Sequence, residues 1–199
     1  VGWAAKSVAT YAAENYAQIA AIASEDPTAA IDLLKGTPWR ERDKAASLGS
    51  RVHRLLEGDG AGASDEERPF VDAWEKWLTA TRTDVVAQEV PIVNTILGYG
   101  GTADLIATAN ETTGLLDVKT GKTVADKHGE VYPEIRLQLG AYAAADVGLP
   151  VPVESAAVLH VRPEGVKVYK VDLTGAIEVF AAVKQLAEYI GLIEMGEST

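Results

Sequence analysis

Cysteine is absent from all 199 residues of this chain. Its absence excludes disulfide bonds, thiolate zinc sites and cysteine-ligated iron–sulfur clusters. Long apolar runs are missing too, because no stretch approaches the roughly 18 residues that a membrane-spanning helix needs. No signal peptide is recognisable in the first residues. We therefore expect no association with a membrane and a cytoplasmic location, in a bacterial or phage-infected cell.

Positive charge is scarce and unevenly distributed. The 18 basic residues stand against 29 acidic residues, which gives a formal net charge of −11. Residues 36–54 hold five basic and two acidic residues, whereas residues 55–90 hold three basic and nine acidic residues. An acidic protein with one basic segment is compatible with DNA contact at one face. It is equally compatible with a solvated helix whose charges have no function.

The order of predicted elements favours a single α/β domain over residues 1–199. Helical spacing predicts one helix over residues 3–23 and a second, short helix from Pro27 to near Gly36. Further helices are predicted at residues 42–57, 66–81, 133–148 and 173–195, and Gly148 would end the helix that begins at residue 133. Strands are predicted at residues 84–94, 98–109 and 113–121, and two more lie within residues 153–172. The domain would combine a mainly helical part, residues 1–82, with a sheet core and C-terminal helix, residues 83–199. We expect a central mixed sheet flanked by helices.

Three charged residues stand inside apolar strands. Asp104 lies between GYGGT and LIA, and the run LLDVK holds Asp117 and Lys119. Unpaired charges are rarely buried, and two neighbouring carboxylates repel each other unless a cation lies between them. Asp117 and Lys119 point to the same face, because side chains alternate along a strand. Such a set fits metal-assisted phosphodiester hydrolysis, which needs acids to hold a metal and a cation for the developing charge.

Two helical pairs accompany these strands. His53 and Glu57 are spaced i and i+4 on a predicted helix, and so are Gln138 and Tyr142. Each pair shares one helix face, and each alone has an ordinary explanation as a half-buried histidine or a surface pair. The acid-x-lysine pattern alone is also expected about once by chance in a chain of this size. The combination, in this order, is what indicates a functional site.

With these motifs the chain resembles the PD-(D/E)XK nucleases, in their RecB-type and phage-exonuclease branch. GSRVHRLLE, GGTADLI, LLDVKTGK and QLGAY resemble the four motifs of that branch in order, within residues 36–142. The resemblance implies a restriction-endonuclease-like core in which Lys119 is the catalytic lysine. It also implies a set of metal ligands: His53, Asp104, Asp117 and the backbone carbonyl of Val118.

The resemblance implies that Gln138 and Tyr142 position the DNA backbone near the cut. Beyond the resemblance, we expect Arg136 or Lys122 to contact neighbouring phosphates. Glu57 would stand behind His53 as a second partner or an alternate ligand. Mg²⁺ or Mn²⁺ would be the cofactor, with Mn²⁺ at least as effective because one ligand is an imidazole. The iron–sulfur cluster that some members of the branch carry is excluded here.

The function we expect is a metal-dependent DNA nuclease, an exonuclease more than an endonuclease, in phage-type recombination or repair. A recombinase or helicase would be a separate polypeptide. An alternative is the same fold binding DNA or protein without cleavage, which the intact acid-x-lysine set disfavours. A generic α/β domain for a small ligand would need a phosphate-cradling glycine loop, which is missing. Polarity, strand preference, DNA against RNA and oligomeric state stay open.

Hairpin geometry provides a test of the site. For the two acids to share a face, directly paired residues must have numbers with an odd sum, since a slip of one residue reverses the faces. A two-residue turn at Asn110–Glu111 places Asp104 opposite Asp117. A four-residue loop over residues 111–114 places Asp104 opposite Gly121 instead.

Overall fold

The structure, a computed structural model, describes residues 2–58 and 60–196. The chain divides into two compact units, with the boundary between Ser50 and Arg51. No helix within the described residues is long and apolar enough to cross a membrane. The single-domain organisation over residues 1–199 stays a prediction.

The first unit is helical, and its first two helices correct one prediction. α1 covers Gly2–Glu14 and α2 covers Tyr16–Glu25, so the single helix predicted over residues 3–23 is wrong. The break lies at Asn15, whose side-chain amide donates to the carbonyl of Tyr11 at 3.0 Å. Asparagine competes for backbone groups in this way, which lowers its preference for helix interiors.

The third helix corrects a second prediction. α3 runs from Pro27 to Glu57, so the predicted end near Gly36 is wrong and the helices predicted at 27–36 and 42–57 are one. Pro38 inside it cannot donate a backbone hydrogen bond. One turn earlier, the carbonyl of Leu33 accepts the Thr37 hydroxyl at 2.9 Å and the Arg40 guanidinium at 2.6 Å. These side-chain bonds support the helix where the proline weakens it.

The second unit contains one five-stranded mixed sheet. Its elements are α4 (Arg68–Thr81), β1 (Asp84–Asn94), β2 (Tyr99–Ala109), β3 (Thr112–Lys119), α5 (Pro133–Ala143), β4 (Ser155–Arg162), β5 (Gly165–Lys170) and α6 (Ala176–Gly196). The strand order is β1-β2-β3-β4-β5, and β3 runs parallel to β4 while the other neighbours are antiparallel. α5 lies in the crossover between β3 and β4, as a parallel pair requires. The α/β class with a mixed sheet flanked by helices is therefore confirmed.

The hairpin of β2 and β3 has the two-residue turn. Asn110 and Glu111 have φ angles of 49° and 63°, and Ala109 pairs with Thr112. Two left-handed residues are what a type I′ turn needs. Pairing continues in the odd-sum register to Leu105 and Leu116. The register that places Asp104 opposite Asp117 is confirmed.

The end of α5 differs from the prediction. The helix ends at Ala143 and not at Gly148, and the side-chain amide of Asn94 donates to the carbonyl of Ala144 at 2.6 Å. Gly148 has another role, because a Cβ there would lie 2.2 Å from the carbonyl oxygen of Pro91. The chain after α5 therefore approaches β1 too closely for any residue but glycine.

The core of this unit lies between the sheet and its helices. Buried residues of α5 meet buried residues of the sheet in one cluster, which includes Ile135, Leu139, Ile106, Leu115 and Val158. On α4, Phe70 and Trp74 are buried, and the ring of Trp77 stacks on that of Trp74 at 5.4 Å. These aromatic residues stabilise the fold through packing.

Candidate metal centre

The candidate centre lies where β2 and β3 stop pairing. Beyond the Leu105–Leu116 pair, the backbone N–H of Val118 donates to Oδ2 of Asp104 at 2.8 Å. The carboxylate thus takes the place of a strand partner for this backbone group. Buried N–H groups require an acceptor, so the bond fixes Asp104 beside the middle of the third motif.

His53 reaches this point from the last turns of α3. Val52 and Leu56 on the same helix are buried and hold it against the sheet unit. The imidazole Nε2 lies 2.8 Å from the carbonyl oxygen of Val118 and 3.5 Å from Oδ2 of Asp104, although 65 residues separate His53 from Val118 in sequence. The last turns of α3 thus bring His53 to the site, whereas metal ligation by His53 stays a prediction.

Asp117 is the most deeply buried charged group of the site. It is only 2% exposed, and its Oδ1 accepts a 2.7 Å hydrogen bond from Nζ of Lys119. Its Oδ2 is buried and has no hydrogen-bond partner among the described residues. Burial raises the pKa of Asp117, and the charge of Asp104 adds to that rise, against the opposing effect of Lys119. A buried carboxylate oxygen without a donor is costly.

The donor groups of the site fit a divalent cation. Nε2 of His53 lies within 3.5 Å of the carbonyl oxygen of Val118 and of Oδ2 of Asp104. Among the described residues, the three ligand atoms that lie within 4.8 Å of one another belong to His53, Glu57 and Glu89, a set without Asp104 and Asp117. Oxygen ligands suit Mg²⁺ and Mn²⁺, and an added imidazole favours Mn²⁺. The unpartnered oxygen is the observation that tests this fit, since a cation would satisfy it.

Sequence reasoning missed Glu89 on β1. One potential ligand atom from each of His53, Glu57 and Glu89 lies within 4.8 Å of the others. Nδ1 of His53 is 3.6 Å from Oε1 of Glu57, as expected for a carboxylate behind the imidazole. Burial raises the pKa of Glu89, and the charges of Glu57 and Asp104 add to that rise.

A signal for Glu89 was present in the sequence. The β1–β2 register pairs Gln88 with Leu105 and Val90 with Ala103, so Glu89 lies opposite Asp104. The hairpin argument applied to β2 and β3 would have found it if it had been extended to β1. Its left-handed φ of 47° within a strand could not have been read from the sequence.

The fourth motif is formed as a pair on α5. Nε2 of Gln138 donates to the hydroxyl of Tyr142 at 3.3 Å. The ring of Tyr142 fills the space above Gly101, where a Cβ would lie 2.7 Å from it. The pair therefore packs beside β2, three residues before Asp104. Its contact with DNA stays a prediction.

The two predicted phosphate contacts lie in different surroundings. The guanidinium of Arg136 donates to the carbonyl of Thr174 at 2.6 Å, before α6. Lys122 is exposed and follows Lys119 by three residues. Among the described residues Lys122 shows no such hydrogen bond, whereas Arg136 does, and both roles stay predictions.

No family profile and no curated protein sequence matches the chain. Fourteen chains of solved structures are similar to it. One of them, described as the crystal structure of SSO0001, aligns with 85% of this chain and 70% of its own length, at 17% identity and a TM-score of 0.36. A likeness this weak says nothing about fold or function.

Proposed function

We propose that the chain is a metal-dependent deoxyribonuclease of the PD-(D/E)XK superfamily, in the RecB-type and phage-exonuclease branch. It hydrolyses phosphodiester bonds, as an exonuclease rather than an endonuclease, in recombination or repair of phage type. Four motifs in family order support the assignment, as does a mixed sheet whose neighbouring strands β2 and β3 hold the second and third motifs.

One observation carries the proposal. Asp117 is almost fully buried, yet one of its carboxylate oxygens has no partner among the described residues. The nearby groups are two further metal-ligand types, an imidazole and a backbone carbonyl, within 2.8 Å of each other. A structural ion pair would explain Lys119 but not the free oxygen, whereas a divalent cation explains both the free oxygen and the choice of neighbours.

The side chains divide the work in a definite way. Asp104, Asp117, His53 and the carbonyl of Val118 would hold the cation, which would polarise the phosphate and lower the pKa of a bound water. Nζ of Lys119 has one N–H bonded to Asp117 and two more donors for the attacking water and a phosphate oxygen. The hydrogen bond to Asp117 fixes the position of the ammonium group.

Gln138 and Tyr142 would orient the phosphate. Their mutual hydrogen bond leaves the second amide proton of Gln138 and the proton of the tyrosine hydroxyl as donors. Two donors on one helix face can bind two oxygens of the same phosphodiester, which restricts its rotation before attack. Their contribution is therefore to placement of the substrate, and they hold no metal.

The decisive experiment compares linear and closed circular DNA. Both would be incubated, with labelled ends on the linear form, in Mg²⁺, Mn²⁺ or EDTA, beside Lys119→Ala and, as a control, Lys184→Ala on α6. We expect digestion of linear DNA alone. This activity should be lost in EDTA and in Lys119→Ala, and it should be retained in Lys184→Ala. Digestion of both forms would make the protein an endonuclease. Absence of digestion in either metal would refute hydrolysis and favour a binding module.

A further inference from the structure

The three residues that follow β3 are tied to β4 at two carbonyl groups. Nε2 of His160 lies 2.6 Å from the carbonyl oxygen of Gly121. Nη1 of Arg162 donates to the carbonyl of Thr120 at 3.1 Å and to that of Gly121 at 3.2 Å. Two side chains of one strand thus hold a loop segment, residues 120–122, through three hydrogen bonds.

The position of this segment relates it to the candidate centre. β3 and β4 pair in parallel up to Lys119 and His160, so the segment begins where the ladder ends. His160 is buried, only 8% exposed, and its ring also lies beside that of Tyr169. A buried histidine that donates to a loop carbonyl fixes the direction of the chain directly after the proposed catalytic lysine.

The segment also has donors and open space beside it. Both carbonyls face β4, and the backbone N–H groups of Gly121 and Lys122 have no backbone acceptor among the described residues. A Cβ at Gly121 would meet nothing within 4 Å, and the side chain of Lys122 is exposed. Residues 120–122 thus offer a hydroxyl, unused backbone donors and an ammonium group, and no acid. Such a set suits a phosphate oxygen.

We infer that His160 and Arg162 are positioning residues that hold segment 120–122 against a phosphodiester next to the one that is cut. This inference rests on the proposed function, because it places the DNA strand along the end of β3. It gives Lys122 a fixed place in the site and explains why two side chains of β4 are directed at loop carbonyls. The alternative is that His160 and Arg162 only stabilise the fold at the end of the sheet.

Matched variants separate these readings. His160→Leu replaces the ring N–H donor with an apolar side chain of similar size, whereas His160→Gln retains an N–H donor. Arg162→Gln removes two hydrogen bonds and one charge, and Lys167→Gln on β5 removes one charge without touching the segment. For each variant we would measure kcat and KM on end-labelled linear duplex, its binding in EDTA at several salt concentrations, and the Mn²⁺-induced shift in Tm.

His160→Leu should raise KM and the dissociation constant for duplex by about 5- to 10-fold, as loss of one hydrogen bond predicts. Its kcat and its Mn²⁺-induced shift in Tm should stay near those of the wild type. His160→Gln should restore KM, and Lys167→Gln should leave it unchanged. Arg162→Gln should raise KM and lower the salt dependence of binding by about one counterion.

The outcomes distinguish the two proposals. Unchanged KM and duplex binding in His160→Leu, with active wild type, would overturn the inference and leave the proposed function standing. If the wild type cuts nothing but binds duplex, and His160→Leu binds it more weakly, the positioning role would be supported and hydrolysis refuted. A wild type that neither cuts nor binds duplex would refute both. If His160→Leu does not fold, the comparison of Arg162→Gln with Lys167→Gln decides.

Discussion

Replacing Lys119 with methionine tests the electrostatic logic of the site. Methionine preserves most of the length of the side chain but removes the ammonium group that bonds Asp117 at 2.7 Å. Asp117 would then be a buried carboxylate with no cation beside it and no donor on either oxygen. We expect lower stability without metal and complete loss of cleavage, with metal binding retained because the lysine is not a ligand.

The size of the loss follows from burial. Removing one partner of a fully buried ion pair costs about 3–5 kcal/mol, but the side chain of Lys119 is 33% exposed and water screens part of its charge. We therefore expect a loss of about 1–3 kcal/mol near neutral pH. For a chain of this size each kcal/mol lowers Tm by about 2–4 °C.

The pH dependence has a definite sign. Burial raises the pKa of Asp117 above its ordinary 3.8, and Lys119 opposes that rise. Removal of Lys119 raises the pKa of Asp117 further. Asp117 therefore binds a proton more tightly in the folded chain than in the unfolded chain. The stability that this proton provides is present at low pH and is lost as pH rises through the folded pKa. The cost of the substitution should therefore be largest at neutral pH and shrink in acid.

Thermal unfolding at pH 7.5 and pH 4.5, with and without saturating Mn²⁺, measures these effects. The difference in Tm between wild type and Lys119→Met should be smaller at pH 4.5, and Mn²⁺ should reduce it at pH 7.5. Asp117→Ala serves as the reference, because it should lose the Mn²⁺-induced shift altogether. A difference that is the same at both pH values and with metal would refute the view that Asp117 carries the cost.

Three further predictions concern other parts of the sheet unit. His53→Ala should weaken Mn²⁺ binding about 10-fold or more, and more than Mg²⁺ binding, in calorimetric titrations; equal affinity would remove His53 from the ligands. Gln138→Ala should raise KM for DNA and leave metal affinity unchanged, so a loss confined to kcat would contradict its positioning role. Glu111→Gly should raise the free energy of unfolding by about 0.5–1 kcal/mol with unchanged activity, because glycine adopts its φ of 63° without strain. Denaturant melts that show no gain would argue against the type I′ turn.

The strands were predictable because their signals are local. Residues 84–94 were predicted as a strand and β1 has those bounds, and the observed hairpin register is one of the two that parity left open. The helices were harder to delimit. Asn15 breaks a run that contains no glycine or proline, whereas α3 continues through Gly36 and Pro38, where side-chain bonds support it. Whether a helix continues through glycine or proline depends on contacts of neighbouring side chains, and residue propensities do not include such contacts.

The sequence allowed candidate residues of the site to be named, but not the connections between them. Spacing indicated which face Asp117 and Lys119 share, and family resemblance supplied His53. The hydrogen bond from the Val118 N–H to Asp104 forms because β2 and β3 separate there. No sequence pattern predicts where two strands separate. Glu89 could be reached only by extending the hairpin argument to β1, and the β4 anchors depend on the β3–β4 pairing, which no local pattern gives.

The presence of acids in the middle of apolar strands has a physical reason. A continued β2–β3 ladder would satisfy the backbone of both strands and leave Asp104 and Asp117 facing each other with repelling charges. The strands separate at that point instead, so Asp104 accepts the bond from Val118 that β2 no longer accepts. The carbonyl of Val118 then turns to His53, and Asp117 keeps one oxygen for Lys119 and one without a partner among the described residues. The separation of the strands thus accounts for the partners of these charged groups, except for that last oxygen of Asp117, which is where we expect a cation to bind.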